Sequence, residues 1–371
     1  MKRLIIILVA FVALACEREI TPQSQDETIM FSVSAPGLEV TRSEVTESEV
    51  TDAGLAEGVD SGTMGLRLHE TLLSDYIYGL RLAPEKINDT FTGRWFPDAA
   101  HGGQRPKWTD KATNGNIPAM SFFAFAFSPF SKYGSSIVVG EGSRGRSVTI
   151  TQPSSYQDAG FIDYLLSYEV DVPAQKVGDS YPLIALQLEH ALTKVELYVD
   201  CAEAFKNSKY KIEFTELCFN DIYTTATLTV SHHKKAGEAG SNLWTVSYAS
   251  GDGTVNDYNL VADPEDPVVL NVDNEEPVME FIAFPVSSTF PYTLDVAYRI
   301  SDTEQTPQGA VIASSATTFT LRNFTPKGWL SGHKVRYSLH IDNGIELTGK
   351  ITDWVEGDYI EGVIFPDQNV Q

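Results

Sequence analysis

The stretches YKIEFTELCF, TTATLTVS, YTLDVAYRIS and KVRYSLHID share the property that most narrows the possible folds: apolar and polar residues alternate with a period of two. A strand sends successive side chains to opposite faces, so this pattern buries one face of a sheet and wets the other. Similar runs, rich in Thr, Tyr, Phe, Val and Ile, recur in LRLHETLLSDYIYGLRLAP, IPAMSFFAFAFSPF, SSIVVG, RSVTITQPS, LIALQLEHALTKVELYVD, VMEFIAFPV and TTFTLRNF. Only short stretches, around Tyr76 and over residues 202–206, suit a helix. The expected class is all-β, with sandwiches as the architecture. Near the end, KVRYSLHI and IELTGKITDW flank Asp342, Asn343 and Gly344, a hairpin signal, and YIEGVIF supplies a last strand.

The chain opens MKRLIIILVAFVALAC, with Lys2 and Arg3 ahead of an apolar run and small Ala15 ahead of Cys16, the order of a secretory signal. Its length, about a dozen apolar residues, falls short of the roughly 20 that span a bilayer. A cysteine directly after the small residue predicts a bacterial lipoprotein, cleaved between Ala15 and Cys16 and acylated on Cys16, palmitate included. Leu14 departs from that pattern, which places leucine three residues before the cysteine, at Ala13; the alternative is an ordinary signal peptide with a passing cysteine. Two or more acyl chains, at about 0.8 kcal/mol per buried methylene, anchor stably. The expected location is the outer membrane, facing outward, with membrane lipid engaged through Cys16.

Without residues 1–15 the chain loses Lys2 and Arg3 from its 27 basic residues and none of its 50 acidic ones, leaving a net charge of −25. Such a balance argues against nucleic acid and anionic lipid surfaces as partners. The mature length of roughly 355 residues suggests two domains. Residues 17–61 are rich in Ser, Thr, Glu and Asp, as in TRSEVTESEVTDAG, and read as a solvated tether. Within them ETIMFSVS alternates Ile29, Phe31 and Val33 with polar or flexible neighbours, a strand in need of a sheet. The expected organisation is a signal peptide (1–15), an anchored segment with the first strand (16–45), an N-terminal β-sandwich (46–180) and a C-terminal β-sandwich (181–371). The boundary falls in VDVPAQKVGDSYP.

No motif carries catalysis. Gly140, Gly142 and Gly145 fit GxGxxG, but RSVTITQP after them is strand-like and supplies no helix N-terminus for a pyrophosphate, so the glycines read as a hairpin loop. No GxSxG occurs. His232 and His233 lie in a charged loop, and adjacent strand residues face opposite ways. His190 reads as a hydrogen-bonded core histidine. The acidic loops ADPEDP and DNEE lack the spacing of an EF-hand, and no Cys/His spacing suggests zinc. Cys201 and Cys218 either pair or remain buried thiols. Trp95, Trp108, Trp329 and Trp354 read as core plugs, with a sugar-stacking platform as the alternative. No catalytic residue, metal ligand or cofactor is therefore assigned.

In order along the chain, several landmarks resemble the fimbrillin-like surface lipoproteins of Bacteroidetes, relatives of type V pilus subunits. These are the lipoprotein signal, Thr41 and Arg42 in LEVTRSEV, Trp108 ahead of MSFFAFAFSP, and Asp163, Tyr164 and Leu165. They continue with LIALQLEHALTKVELYV around His190, then Trp329, Gly332, Val335 and Tyr337, with valine where the family has its first aromatic, and a final strand pair around Trp354. The marks cover nearly the whole chain, and their order carries the specificity. The resemblance implies two transthyretin-like β-sandwich domains in tandem. It also implies assembly in which an arginine-specific protease cuts between Arg42 and Ser43, the first strand leaves, and a strand of another pilus subunit fills the groove by β-augmentation. Candidate donor residues are Ile345, Leu347 and Ile351 in the penultimate strand and Ile360 and Ile364 in the last. The expected function is a non-enzymatic structural or adhesive component of fimbriae, with a host or bacterial surface as ligand. The alternatives are a surface glycan-binding lipoprotein of a nutrient-uptake system and, resting only on abundant acids, a hydrolase. In an anchor the Cys16 lipid is kept and Arg42 stays uncut.

Overall fold

The structure, a computed structural model, describes residues 29–34, 65–72, 77–88, 90–97, 108, 120–128, 135–139, 147–158, 160–172, 181, 183–206, 209–230, 244–251, 254–261, 265–269, 276–304, 310–342, 344–353 and 359–360. Among them the regular elements are strands and two short 3-10 turns, Glu203–Phe205 and Leu321–Asn323, the first inside the stretch expected to suit a helix. Tyr76 lies outside the described residues, and a strand starts at Ile77.

In chain order the strands begin with β1 (Phe31–Ser34), β2 (Gly65–Leu72), β3 (Ile77–Ile87), β4 (Thr90–Pro97), β5 (Met120–Ser128), β6 (Ile137–Val139), β7 (Ser147–Thr151) and β8 (Asp163–Val172). Next come β9 (Ile184–Gln187), β10 (Glu189–His190), β11 (Thr193–Cys201), β12 (Tyr210–Tyr223), β13 (Thr225–Val230), β14 (Trp244–Tyr248) and β15 (Val255–Asn259). The last are β16 (Val268–Val269), β17 (Met279–Ala283), β18 (Thr293–Asp302), β19 (Ala310–Thr320), β20 (His333–Ile341), β21 (Ile345–Asp353) and β22 (Tyr359–Ile360).

They form four sheets, ordered β10-β8-β5-β2-β3-β4-β1-β9, β17-β11-β20-β21-β22, β15-β12-β18-β19 with β16 also on β12, and β14-β13-β7-β6. The chain is all-β, as the alternation predicts. β6 and β7 pair antiparallel, Val139 opposite Val148, so the GxGxxG glycines join a hairpin and a strand follows them. β20 and β21 form the hairpin expected at Asp342 to Gly344, Ile341 opposite Ile345.

β12 shows how local sequence sets local structure. Ile212 and Phe214 face the core, yet so do Leu217 and Phe219, which would fall on the opposite face of a regular strand. A register shift between Phe214 and Glu216 resets the phase. A second shift, between Phe219 and Ile222, sits where Asp221 takes a φ of 63° and returns Ile222 to the core. β12 and β13 are separated by Thr224 alone, so one long stretch of chain serves two sheets.

The inner face of the β14-β13-β7-β6 sheet carries Val148, Ile150, Ala226 and Leu228, all buried. Its outer face is hydroxylic, with Thr149 and Thr227 bonded at 2.8 Å across the strands. Strands pair across residue 180 in three places, β7 with β13, β1 with β9 and β8 with β10. A single cluster of buried apolar side chains extends from Ile137 to Ile351. Cys201 and Cys218 are free, buried thiols on β11 and β12, which belong to different sheets. Burial pushes both thiols up, Cys218 to about 12 with Asp257, Asp295 and Glu216 adding to the effect.

Candidate functional site

The strand read from ETIMFSVS is β1, and its seat is the feature of the molecule most suggestive of function. Ile29 and Phe31 are fully buried while Met30 and Ser32 are half-buried, as alternation requires. On one side β1 meets β4 antiparallel, with Phe31 opposite the fully buried Trp95. On the other it runs parallel to β9, from Phe31 opposite Ile184 to Ser34 opposite Gln187. The Ile184 N–H donates to the Met30 carbonyl at 3.1 Å. β9 keeps the same period, Ile184 and Leu186 buried and Ala185 and Gln187 exposed.

The eight-stranded order begins at β10 and ends at β9, and these two strands are separated only by Leu188. The strands therefore make a closed circuit, with residues 184–190 as the stretch where its ends meet. At the other end of this stretch Glu189 and His190 pair with Leu166 and Leu165 of β8. The buried imidazole of His190 lies with Nδ1 3.1 Å from Oδ1 of the buried Asp163. His190 is thus a hydrogen-bonded core residue, as the sequence suggests.

β1 is a four-residue member of this circuit, and its C-terminal side leads into the polar 35–64 segment. With neighbouring strands about 4.8 Å apart, removing β1 would leave β4 and β9 facing each other across about 10 Å, room for one strand. Both walls would carry unpaired backbone groups, and the floor would lose Ile29 and Phe31. Of Trp95, Ile184 and Leu186, which line this seat, the sequence singles out Trp95 alone, as a core plug. The alternation of LIALQLEH marks Ile184 and Leu186 as inward-facing, but nothing local says which strand they meet.

Ala15, Cys16, Arg42, Ser43 and Ile364 lie outside the described residues. Ile345, Leu347 and Ile351 lie on β21, where Leu347 and Ile351 are buried against the core and Ile345 is half-buried. β21 pairs along its whole length with β20, and with β22 only at Ile351 and Thr352. Ile360 is the β22 residue opposite Ile351. Gly349 of β21 leaves no room for a side chain, since a Cβ there would stand 2.7 Å from the Phe324 carbonyl oxygen.

The aromatic platform does not form from Trp95, Trp108 and Trp329, which are fully buried. Trp108 stacks on Tyr181 at 5.8 Å, and Trp329 packs among Phe281, Phe290 and Tyr292. Burial of their large surface outweighs display, and these three are core plugs. Trp354 lies outside the described residues. Among the described residues no group of three or more His, Cys, Asp or Glu side chains is placed to hold a metal, and no helix is long and apolar enough to cross a membrane.

A family model described as fimbrillin-like matches residues 103–354, about two thirds of the chain. No protein of curated function matches. Among solved structures the chain is similar to a fimbrial protein from Bacteroides vulgatus, with 15% identity and a TM-score of 0.45 over 88% of this chain and 99% of that one. It is similar to a provisionally described cell adhesion protein from Bacteroides uniformis, with 15% identity and a TM-score of 0.43 over 78% of this chain and 91% of that one. A second such protein, from Bacteroides ovatus, gives 14% identity and a TM-score of 0.41 over 89% and 99%.

Proposed function

The chain belongs to the fimbrillin-like family, and from that premise we propose that it is a structural or adhesive subunit of cell-surface fimbriae. In this reading it is exported as a lipoprotein held by Cys16, cut between Arg42 and Ser43, and joined to other subunits by strand exchange. The observation that carries the reading is the seat of β1, a short strand closing a circuit between β4 and β9. Loss of this strand uncovers two sheet edges and the sites of Ile29 and Phe31, each worth about 1.5–3 kcal/mol of apolar burial. An incoming strand restores both the backbone bonds and the packing.

Of the two donor candidates, β22 is the more readily released. It is held to β21 at two positions, whereas withdrawing β21 would break its full pairing with β20 and uncover Leu347 and Ile351. Ile360 and Ile364, spaced by four, would then fill alternate pockets of the neighbour's slot. The slot is walled by β4 on one side and, on the other, by β9, which lies just beyond the expected domain boundary near residue 180.

Treatment of the intact chain with an arginine-specific protease tests the reading. Cleavage at Arg42 is expected to release residues 16–42 and to yield oligomers that survive dilution, and Arg42→Ala is expected to yield neither. Cleavage without release, or oligomers formed equally by Arg42→Ala, would sink the strand-exchange version and leave the subunit as an anchor that keeps its lipid.

A further inference from the structure

Edge strands invite pairing with other chains, and proteins usually keep them short, charged, kinked by proline or covered. Most sheet ends here obey this. Among the described residues, the strands at sheet ends are β6, β9, β10, β14, β15, β16, β17, β19 and β22, and all except β19 have five residues or fewer. β19 has eleven, AVIASSATTFT, with no charge and no proline in a chain of net charge −23. One edge of β19 pairs with β18 along its length, and no described strand pairs with the other. Residues 311–314 are all exposed in succession. Opposite β18, Ser301 meets Val311 and Ile300 meets Ala313, so Ile312 is an inserted residue. Such a bulge re-aims side chains, and here Val311 and Ile312 remain 55% and 42% exposed.

We infer that the free edge of β19 is a docking surface for a second copy of this chain, the two β19 strands pairing antiparallel about a two-fold axis. Among the described residues the outer backbone groups of β19 have no strand partner, and a row of this kind takes an extended strand. Electrostatics selects which one. Of the three five-residue ends, β15 and β17 carry Asp257 and Glu280, and β14, like the shorter charge-free ends, cannot match eleven residues. Among the described edges β19 is itself the long, uncharged one that β19 needs, and it lets two strongly acidic copies meet along strands that carry no charge of their own. Antiparallel self-pairing makes an isologous contact, which closes as a dimer and does not propagate as a fibre. A two-fold through Ser315 would set Val311 of each copy against Phe319 of the other. One pair of edges buries less than the roughly 1,200–2,000 Å² of a stable interface, so the dimer is weak and concentration-dependent. β19 and the β1 seat belong to different sheets, so this contact does not depend on strand exchange.

Single cysteines at exposed positions of β19 test it in the intact chain carrying Arg42→Ala, where cleavage at that arginine cannot contribute. The set is Ile312→Cys, Ser314→Cys, Ala316→Cys and Thr318→Cys. Under mild oxidation covalent dimers are expected to peak at the position nearest the axis and fall severalfold to either side. The Arg42→Ala chain without an added cysteine, its Cys201 and Cys218 buried, sets the background. Background crosslinking at all four positions, or equal crosslinking at all four, would overturn the inference. A second measurement, sedimentation in detergent, compares the same chain with its Val311→Lys, Ile312→Lys variant. Loss of the dimer is expected, and an undiminished dimer would overturn the proposal as well.

Discussion

Trp329, Tyr337 and Thr325 form a chain of hydrogen bonds with no access to water. The indole N–H of Trp329 donates to Tyr337 Oη at 2.8 Å, Tyr337 lies 3.0 Å from Thr325 Oγ1, and the Thr325 hydroxyl donates to the Leu321 carbonyl at 3.2 Å. With Thr325 donating onward and Trp329 donating in, the Tyr337 hydroxyl proton goes to Thr325, and every polar atom of the three side chains is satisfied. Burial pushes the Tyr337 hydroxyl far above the ordinary tyrosine range. Gly328 makes the turn that delivers Trp329. Its φ of +83° suits glycine, and a Cβ there would stand 2.1 Å from the Val286 carbonyl oxygen. Tyr337→Phe keeps the packing, strands the Trp329 N–H and leaves Thr325 only its bond to the Leu321 carbonyl, so it should cost about 1–3 kcal/mol, read as a lower urea midpoint at unchanged slope. Trp329 and Tyr337 are visible in the sequence as landmarks eight residues apart. That one bonds to the other is not, because the link is made across the turn at Gly332 and only the folded chain brings the two rings together.

At the scale of elements, β1 and β19 pose opposite problems. β1 is four residues long and has a neighbour on each side, whereas β19 has eleven residues and, among the described strands, a neighbour on one. Phe31 is a fully buried attachment of β1, opposite Trp95 in register. Phe31→Ala should destabilise the eight-stranded sheet by about 3–5 kcal/mol, the usual range for emptying a buried phenylalanine site. Faster deuterium exchange at the Ile184 N–H, whose acceptor is the Met30 carbonyl, would report it; unchanged protection there would mean that β1 is held by something other than this side chain. Alternation identified β1, β7, β18, β20 and β21 as strands because each has one buried face. It could not foresee that β9 and β10 would pair with different neighbours, since backbone pairing leaves no mark on side-chain composition. Nor could it separate the two phases of β12, where bulges allow Phe214 and Leu217 to share a face.

For the molecule as a whole, the shared core matters more than any single sheet. Side chains from β6 and β7 near Ile137 and from β21 near Ile351 belong to one buried cluster, and β12 passes into β13 with only Thr224 between them. The sheets that share this core are therefore expected to unfold together. Cys201 on β11 and Cys218 on β12 are built-in probes, since both thiols are buried and lie in different sheets. A thiol reagent added across a urea series should label both at the same urea concentration. Labelling of one well before the other would show that the sheets come apart independently.

Neighbouring residues alone carry the all-β class, the pairing of β6 with β7 and of β20 with β21, and the family resemblance, because period-two burial and turn chemistry are local properties. They mark β1 as a strand in search of a sheet. Where that strand sits, between Trp95 of β4 and Ile184 of β9, residues 64 and 153 positions away from Phe31, emerges in the folded chain. There too Trp95, Trp108 and Trp329 fill the core and do not face a ligand. The reason is the same in both cases. Alternation fixes which face of a strand is buried, but the partner is chosen by long-range packing, and that choice depends on the shape of the whole core.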